Sequence, residues 1–197
     1  MFLEGKRLGV CVTGSFHNIR KVLGEFRRLR EEGADLTPIV SWSVANLDTK
    51  FGAAAEVLGE IEECTGKRPL RTIPEVEPLG PQKSLDLLIV APCTGNTLAK
   101  IANGITDGPV AMAVKSTLRN SRPVVLSVSS NDLLGLGARN LATLLCVRNV
   151  YFVPFGQDKP FEKPASLESD HSLIAETVKN ALQGKQSQPI LVQRQGT

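Results

Sequence analysis

Three short polar segments contain the residues of this chain that could bind a ligand, and each of them follows an apolar run. The first is Thr13-Gly14-Ser15, the second contains Ser41 and Ser43, and the third is APCTGNTLAKIANGITD at residues 91–107. A turn that opens a helix offers backbone N–H groups and hydroxyls to a phosphate. One such turn is often only a helix cap, but three of them favour a mononucleotide cradle. None matches a Walker A loop or the GxGxxG dinucleotide motif.

The third segment is the most informative part of the chain. It follows the run LDLLIV at residues 85–90, which is typical of a buried strand because it shows no polar alternation. Small polar residues at 94–97 then open a helical pattern, and Gly104 stands where that helix is expected to end. Open α/β sheets bind their ligands at the carboxyl ends of the strands. We therefore expect an anionic or richly hydrogen-bonding ligand at this turn.

Strand and helix patterns alternate along the chain, and this alternation positions the three polar segments. Predicted strands cover residues 7–13, 36–41, 71–73, 85–90, 123–129 and 150–155. Predicted helices cover residues 16–32, about 50–65, 94–103, about 109–118, 137–146 and 167–182. The pattern favours a single-domain, three-layer, doubly wound α/β fold of the Rossmann-like or flavodoxin-like type, with a mostly parallel sheet.

Domain organisation follows from the same pattern. We expect one α/β domain over residues 1–184 and a polar C-terminal tail over residues 185–197. The tail contains an apolar PILV run at residues 189–192, which favours a flexible arm or a strand that docks a partner.

Composition limits the class of protein. The 197 residues are 42% hydrophobic and 22% charged, with a net charge of +3, and a basic cluster at residues 27–30 is balanced by neighbouring glutamates. We therefore expect no nucleic-acid partner. No apolar run approaches the ~20 residues that span a bilayer, and the N-terminus lacks the features of a signal peptide. The four cysteines form no C-x-x-C pair and only two histidines are present, so we expect a cytoplasmic protein without disulfides or a metal site.

The third segment also carries a family resemblance. Residues 92–97 (PCTGNT) resemble the PASANT-type motif of the flavoprotein superfamily of homo-oligomeric flavin-containing cysteine decarboxylases. As in that superfamily, a run similar to AKxANGIxD follows, here at residues 99–107. The resemblance covers most of the first 155 residues. It implies a doubly wound fold, bound FMN and assembly into a homo-oligomer.

The resemblance assigns roles by position. It places Gly14, Ser15 and Ser41 at the FMN phosphate with Ser43 nearby, and the residues after the third strand beside the isoalloxazine ring or the substrate. Asn131 matches the asparagine of the superfamily's PAMN-type segment. The predicted cofactor-binding residues are therefore Thr13, Gly14, Ser15, Ser41, Ser43, Pro92, Cys93, Thr94, Asn96, Thr97 and Asn131.

Two departures from the decarboxylases change the expected activity. The stretch at residues 45–63 contains no histidine, whereas the decarboxylases have a pocket histidine there. Residues 128–130 are Val-Ser-Ser, where the PAMN-type segment has its Pro and Met before the asparagine. Both departures argue against cysteine-type decarboxylation, which stays as an alternative.

The segments at residues 91–107, VVLSVSSNDLLGL and VYFVPFGQD resemble in particular one branch of the superfamily, the B subunits of a two-component synthase of endospore-forming bacteria. This resemblance implies that the chain helps to oxidise a dihydro precursor to a small pyridine dicarboxylate in sporulation. It also implies a companion A subunit that binds NADP. A further alternative is a non-catalytic partner subunit with a vestigial nucleotide pocket. No residue is assigned as the general base.

Three other side chains have a structural and a functional interpretation. His17 could pair with a phosphate or act as an acid, but a solvent-facing histidine beside a helix cap is favoured. His171 is interpreted as a surface residue. Cys93, at a helix N-terminus, could be a nucleophilic thiolate, but no basic partner is in view. A small residue that fills the place of Ala or Ser is favoured there.

Overall fold

Continuous apolar runs form the centre of the sheet, as is typical of parallel strands that helices cover on both faces. In the computed structural model, which describes residues 2–193, the central strands β1 (Arg7–Val12), β3 (Leu87–Cys93) and β4 (Val124–Ser130) are almost entirely buried. β2 (Asp35–Val40) pairs with β1, and β5 (Val150–Phe152) pairs with β4. These five strands are parallel, so their carboxyl ends lie at one edge of the sheet.

Two short antiparallel strands complete the sheet. β6 (Phe155–Gly156) pairs with β7 (Leu167–Ser169), and β7 pairs with the carboxyl end of β4, where Glu168 lies opposite Ser129. The strand order is β2-β1-β3-β4-β7-β6, with β5 beside the first half of β4. The predicted doubly wound α/β fold with a mostly parallel sheet is confirmed.

Helices cover both faces of the sheet. The α-helices among the described residues are α1 (Phe16–Glu31), α2 (Trp42–Asn46), α3 (Ala54–Thr65), α4 (Ile73–Val76), α5 (Gly95–Ala102), α6 (Pro109–Arg119), α7 (Ala138–Leu145) and α8 (Ile174–Leu182). The apolar sides of α1, α3 and α8 contribute to one hydrophobic core, and those of α5, α6 and α7 contribute to a second. None of the described helices has the length and apolar character that crossing a bilayer requires.

The predicted strand over residues 71–73 is wrong. Thr72 instead begins α4 as its N-cap, because its Oγ1 accepts the Glu75 backbone N–H at 3.4 Å. In return, the Glu75 carboxylate accepts the Thr72 backbone N–H at 2.9 Å, which completes a capping box. Extended pairing is limited here to an isolated bridge between Ile39 and Leu70. Local capping therefore determines the structure of this segment.

The predicted last helix, over residues 167–182, is wrong at its start. Its first residues, Leu167–Ser169, form β7, a 3₁₀ turn covers His171–Leu173, and α8 begins only at Ile174. The reason is tertiary, because the end of β4 offers ladder hydrogen bonds that this segment takes up. As a result, β7 brings Glu168 to the same edge of the sheet as the three polar segments.

The interpretation of His171 as a surface residue is also wrong. His171 is buried, and its Nδ1 lies 2.8 Å from the Ser127 hydroxyl of β4. The 3₁₀ turn between β7 and α8 thus places this ring against β4.

The described part of the C-terminal tail lies against the sheet. Gln186 pairs with both backbone groups of Phe152: its Nε2 donates to the carbonyl at 2.7 Å and its Oε1 accepts the N–H at 2.8 Å. Ser187 is buried, and Leu191 forms a bridge with Phe155. Residues 186–191 are thus held on the sheet rather than extending from it as an arm. Residues 194–197 lie outside the described part, and the domain boundary at residue 184 stays a prediction.

An ion pair at the opposite, amino-terminal edge of the sheet predicts a pH dependence of stability. Arg7 Nη2 donates to Asp86 Oδ1 at 2.9 Å, and the Arg7 backbone N–H donates to Asp86 Oδ2 at 2.9 Å. The hydrogen bond from the Arg7 side chain is the largest cause that lowers the pKa of Asp86 below its ordinary value. The pKa of an aspartate in the unfolded chain is about 4, so the pair contributes its full stability above about that pH. The contribution is lost as the pH falls through the lower pKa of Asp86 in the folded protein.

We expect Asp86→Asn to lower the free energy of unfolding by about 1 kcal/mol at neutral pH, since solvent screens this partly exposed pair. The difference between the two proteins should shrink at about pH 2.5. Urea unfolding of both proteins at the two pH values measures it. An equal difference at both pH values would contradict the assignment.

Candidate ligand-binding site

The carboxyl ends of the parallel strands open two adjoining clefts. The first, which we call the serine cleft, has a volume of about 410 Å³. Its walls include Gly14, Ser41, Trp42, Ser43, Thr94, Asn96, Thr97, Lys100 and residues 107–111. The second, which we call the glutamate cleft, has a volume of about 460 Å³. Its walls include Gly14, Ser15, His17, Thr94, Gly95, Asn96, residues 129–132, Asp158, Lys163, Ser166 and Glu168.

The serine cleft brings together the first and second polar segments of the sequence. Ser41 is the N-cap of α2, and its hydroxyl lies 3.1 Å from that of Ser43. The turn after β1 approaches these serines so closely that a Cβ atom on Gly14 would lie 3.0 Å from Ser43 Oγ. A residue without a side chain is therefore needed at position 14 for the two segments to meet without a shift.

The third polar segment forms the wall between the two clefts. Thr94 is the N-cap of α5, and its Oγ1 accepts the Thr97 backbone N–H at 3.2 Å. The Thr94 hydroxyl also donates to Thr97 Oγ1 at 3.0 Å. Asn96 is exposed in the first turn of α5 and lines both clefts. A single ligand that spans the two clefts would therefore pass beside Asn96.

Three of the predicted site residues lie behind the walls. Thr13 is 1% exposed; its hydroxyl donates to the Pro92 carbonyl at 2.6 Å and accepts the Thr94 backbone N–H at 3.1 Å. Pro92 and Cys93 belong to β3 and are buried. Thr13 therefore joins the ends of β1 and β3 and positions the N-cap of α5.

The Cys93 thiol has the properties of a packing residue. Burial raises the pKa of the Cys93 thiol to about 12, so the thiolate is disfavoured at neutral pH. Among the four cysteines, Cys146 is exposed, whereas Cys11, Cys64 and Cys93 are buried.

We expect a thiol reagent to modify Cys146 rapidly in the native protein and the three buried cysteines only after unfolding. Intact-mass spectrometry should then show one adduct on the native chain and none on a Cys146→Ser variant. Rapid modification of Cys93 in that variant would show that this thiol is reactive after all.

A hydrogen-bonded series of side chains lies beneath the glutamate cleft. Ser15 Oγ lies 2.8 Å from Ser129 Oγ, so the Ser15 hydroxyl faces β4. Asn18 Nδ2 donates to Ser129 Oγ at 3.0 Å and to Glu168 Oε2 at 2.9 Å. Asn131, at the end of β4, is exposed at the rim of the cleft. The predicted residues Ser15 and Asn131 are thus brought to the same cleft.

Several residues that line the clefts are not among the predicted site residues. Trp42 is 66% exposed in the serine cleft, and its position between two serines was the available signal. The sequence pattern predicts a helix at Glu168, and only the pairing of β7 with β4 reveals the position of this residue. His17 lines the glutamate cleft with its Nε2 at 3.6 Å from Glu168 Oε2, so it faces a carboxylate as well as solvent.

One known protein family matches most of this chain. The model of the flavoprotein family matches residues 2–178. This chain belongs to the flavoprotein family. The resemblance to the flavin-containing superfamily is thereby confirmed.

Two proteins are similar to this flavoprotein over nearly its whole length. The chain is 46% identical to the B subunit of dipicolinate synthase from Bacillus subtilis (strain 168), over 97% of its own length and 96% of that protein. The crystal structure of the dipicolinate synthase B subunit from Bacillus halodurans C is 43% identical and superposes with a TM-score of 0.91. That match covers 98% of this chain and all of the other.

A more distant structure shares the fold of this flavoprotein. The FMN-dependent cysteine decarboxylase SpaF superposes with a TM-score of 0.64 at 21% identity, over 92% of this chain and 97% of that one. The predicted relationship to the decarboxylase superfamily therefore holds at the level of the fold.

Proposed function

We propose that this chain is the B subunit of a dipicolinate synthase. Together with the dipicolinate synthase A subunit, which binds NADP, it oxidises a dihydrodipicolinate-type precursor to pyridine-2,6-dicarboxylate in sporulation. The observation that carries the proposal is the 46% identity to the B subunit of the Bacillus subtilis synthase over nearly the full length of both chains. The name of that relative describes one subunit of a larger enzyme, which supports the A-subunit partner. Assembly into a homo-oligomer in the cytoplasm is part of the same proposal.

The serine cleft fits the phosphate end of FMN. Hydroxyls of Ser41 and Ser43 stand 3.1 Å apart, and the missing side chain of Gly14 leaves the space beside them open. The carboxylate at the rim, Asp107, is held by Lys100 Nζ at 2.9 Å, so its charge is balanced. Hydroxyl and N–H donors at the start of helices are the groups that bind a phosphate in this type of fold.

We propose that the substrate lies in the glutamate cleft, beside the same wall. FMN, when bound, supplies the acceptor for the hydride that leaves the precursor. Asn96 and Thr94 would hydrogen-bond the flavin edge or a substrate carboxylate, and Asn131 would do so from the opposite rim. The residues of this chain therefore orient the dihydro ring, and aromatisation of that ring drives the loss of a hydride and a proton.

Reconstitution with the A subunit tests this function. We expect the isolated chain to form no dipicolinate, and the pair to form it from the dihydro precursor with NADP. Asn96→Ala should lower the rate of the pair by about tenfold or more, because one hydrogen bond to a charged group is lost. Asn103→Ala, at the other end of α5 and outside both clefts, is the matched control.

The alternatives give different results in the same assay. A non-catalytic partner subunit would tolerate Asn96→Ala in the pair. A decarboxylase would release carbon dioxide from a cysteine-derived substrate without any A subunit.

A further inference from the structure

The glutamate cleft contains a carboxylate–imidazole pair whose members come from distant parts of the chain. His17 is the second residue of α1, and Glu168 is the middle residue of β7. His17 Nε2 lies 3.6 Å from Glu168 Oε2. The His17 side chain is 55% exposed and that of Glu168 is 11% exposed, so the imidazole stands in front of the carboxylate. A ligand in the cleft would meet the imidazole first.

The Glu168 carboxylate is held by a buried side chain, and its backbone is held by two neighbouring strands. Asn18 is fully buried, and its Nδ2 donates to Glu168 Oε2 at 2.9 Å. The backbone of Glu168 is paired with Ser129 of β4 and with Gly156 of β6. Burying a carboxylate is unfavourable unless it is hydrogen-bonded, and the Asn18 amide N–H provides such a bond. Such a fixed carboxylate is suited to orient a histidine and to stabilise its protonated form.

We propose that His17 is the catalytic residue that accepts the proton in this oxidation, and that Glu168 is its positioning residue; the inference rests on the proposed function. FMN, when bound, would supply the hydride acceptor. His17 would take the proton of the second C–H or N–H bond of the dihydro precursor, and the electron pair of that bond would enter the aromatic ring. With Nε2 directed at Glu168, Nδ1 is the ring atom that accepts the proton. The separation of 3.6 Å is longer than a hydrogen bond, and catalytic contacts often tighten only when substrate binds.

Other charged groups face the same space. Asp132, Asp158 and Lys163 also line the glutamate cleft. As a class, lysines are already protonated at neutral pH and aspartates are weaker bases than imidazole. A histidine is the residue type whose protonation changes in the neutral range, which favours His17 as the acceptor.

Binding of the product tests this assignment without turnover. After oxidation, the complex holds dipicolinate beside a protonated His17, so binding of dipicolinate to the resting enzyme should take up a proton. We expect isothermal titration calorimetry of the FMN-loaded complex with its A subunit, in two buffers of different ionisation enthalpy at about pH 8, to show uptake of about one proton. Uptake should vanish in His17→Asn and decrease clearly in Glu168→Gln.

Turnover gives the second readout. Because a general base contributes about 100-fold or more, His17→Asn should lower kcat by at least that factor. Its affinity for dipicolinate at about pH 8 should fall by about tenfold only, because the variant loses the proton uptake that is linked to binding but keeps the rest of the cleft.

Each contrary result would overturn a particular part of the proposal. Unchanged proton uptake in His17→Asn would remove His17 as the acceptor, and unchanged uptake in Glu168→Gln would remove the positioning role of Glu168. Absence of dipicolinate binding in the parent and in both variants would overturn the proposed synthase function, and this inference with it.

Discussion

Replacing Ser41 and Ser43 together by alanine is expected to weaken FMN binding by about 100-fold. Both hydroxyls lie in the serine cleft, 3.1 Å apart, where the proposed phosphate is bound. A hydrogen bond to a charged group contributes about 1.5–3 kcal/mol, so the loss of two corresponds to a factor of this size even when they are not additive. Fluorescence titration of FMN into each purified protein measures the dissociation constant.

A serine outside the site provides the matched control for this double variant. Ser84 lies before the amino end of β3, and its hydroxyl contacts Gln82 Oε1 at 3.4 Å. Ser84→Ala should bind FMN as the parent does. If the Ser41/Ser43 variant binds FMN within about twofold of the parent, the phosphate does not lie in the serine cleft.

Thr13→Val is expected to lower the free energy of unfolding by about 3 kcal/mol. Valine has almost the same shape as threonine, but it leaves the Pro92 carbonyl and the Thr94 backbone N–H without the hydroxyl that each contacts. Thr13 is only 1% exposed, so water cannot reach the two groups in place of the hydroxyl unless the structure opens locally. Each unsatisfied buried group costs about 1–3 kcal/mol.

The effect of Thr13→Val should reach the site as well. The same hydroxyl positions Thr94, the N-cap of α5. FMN binding should therefore weaken even in the absence of urea, where the variant is still folded. Urea unfolding and FMN titration of the same preparation separate the two effects.

Thr177→Val is the control for this second prediction. Thr177 is also fully buried, but its hydroxyl bonds only the Leu173 carbonyl one turn earlier at 2.8 Å. We expect this variant to lose less than about 1 kcal/mol, because that hydroxyl bonds only a carbonyl of the turn that leads directly into the same helix. Equal losses in the two variants would contradict the role assigned to Thr13.

The parts of the site that sequence predicts are those that depend on local residue types. An apolar run without alternation followed by Thr, Gly, Asn and Thr indicates a buried strand, a turn and a helix start, and β3 and α5 have this form. Hydroxyls after β1 and β2 are brought together because parallel strands place their carboxyl ends at one edge. For this reason Gly14, Ser41 and Ser43 could be grouped without a structure.

The remaining parts depend on contacts between distant segments. The apolar residues around Glu168 have the spacing that is typical of a helix. This segment forms β7 only because it pairs with the carboxyl end of β4. The same pairing buries His171 and places Glu168 behind His17. The role of Thr13 likewise depends on how closely β3 approaches, since its hydroxyl reaches a residue 79 positions away.

The most direct test of the central claim is a titration of the purified chain with FMN, followed by absorbance and by quenching of flavin fluorescence. We expect saturable binding of one FMN per chain, weakened in the Ser41/Ser43 double alanine variant and unchanged in Ser84→Ala. Absence of saturable binding, both for the chain alone and with the A subunit present, would contradict the assignment of these clefts to a flavin and a dicarboxylate substrate.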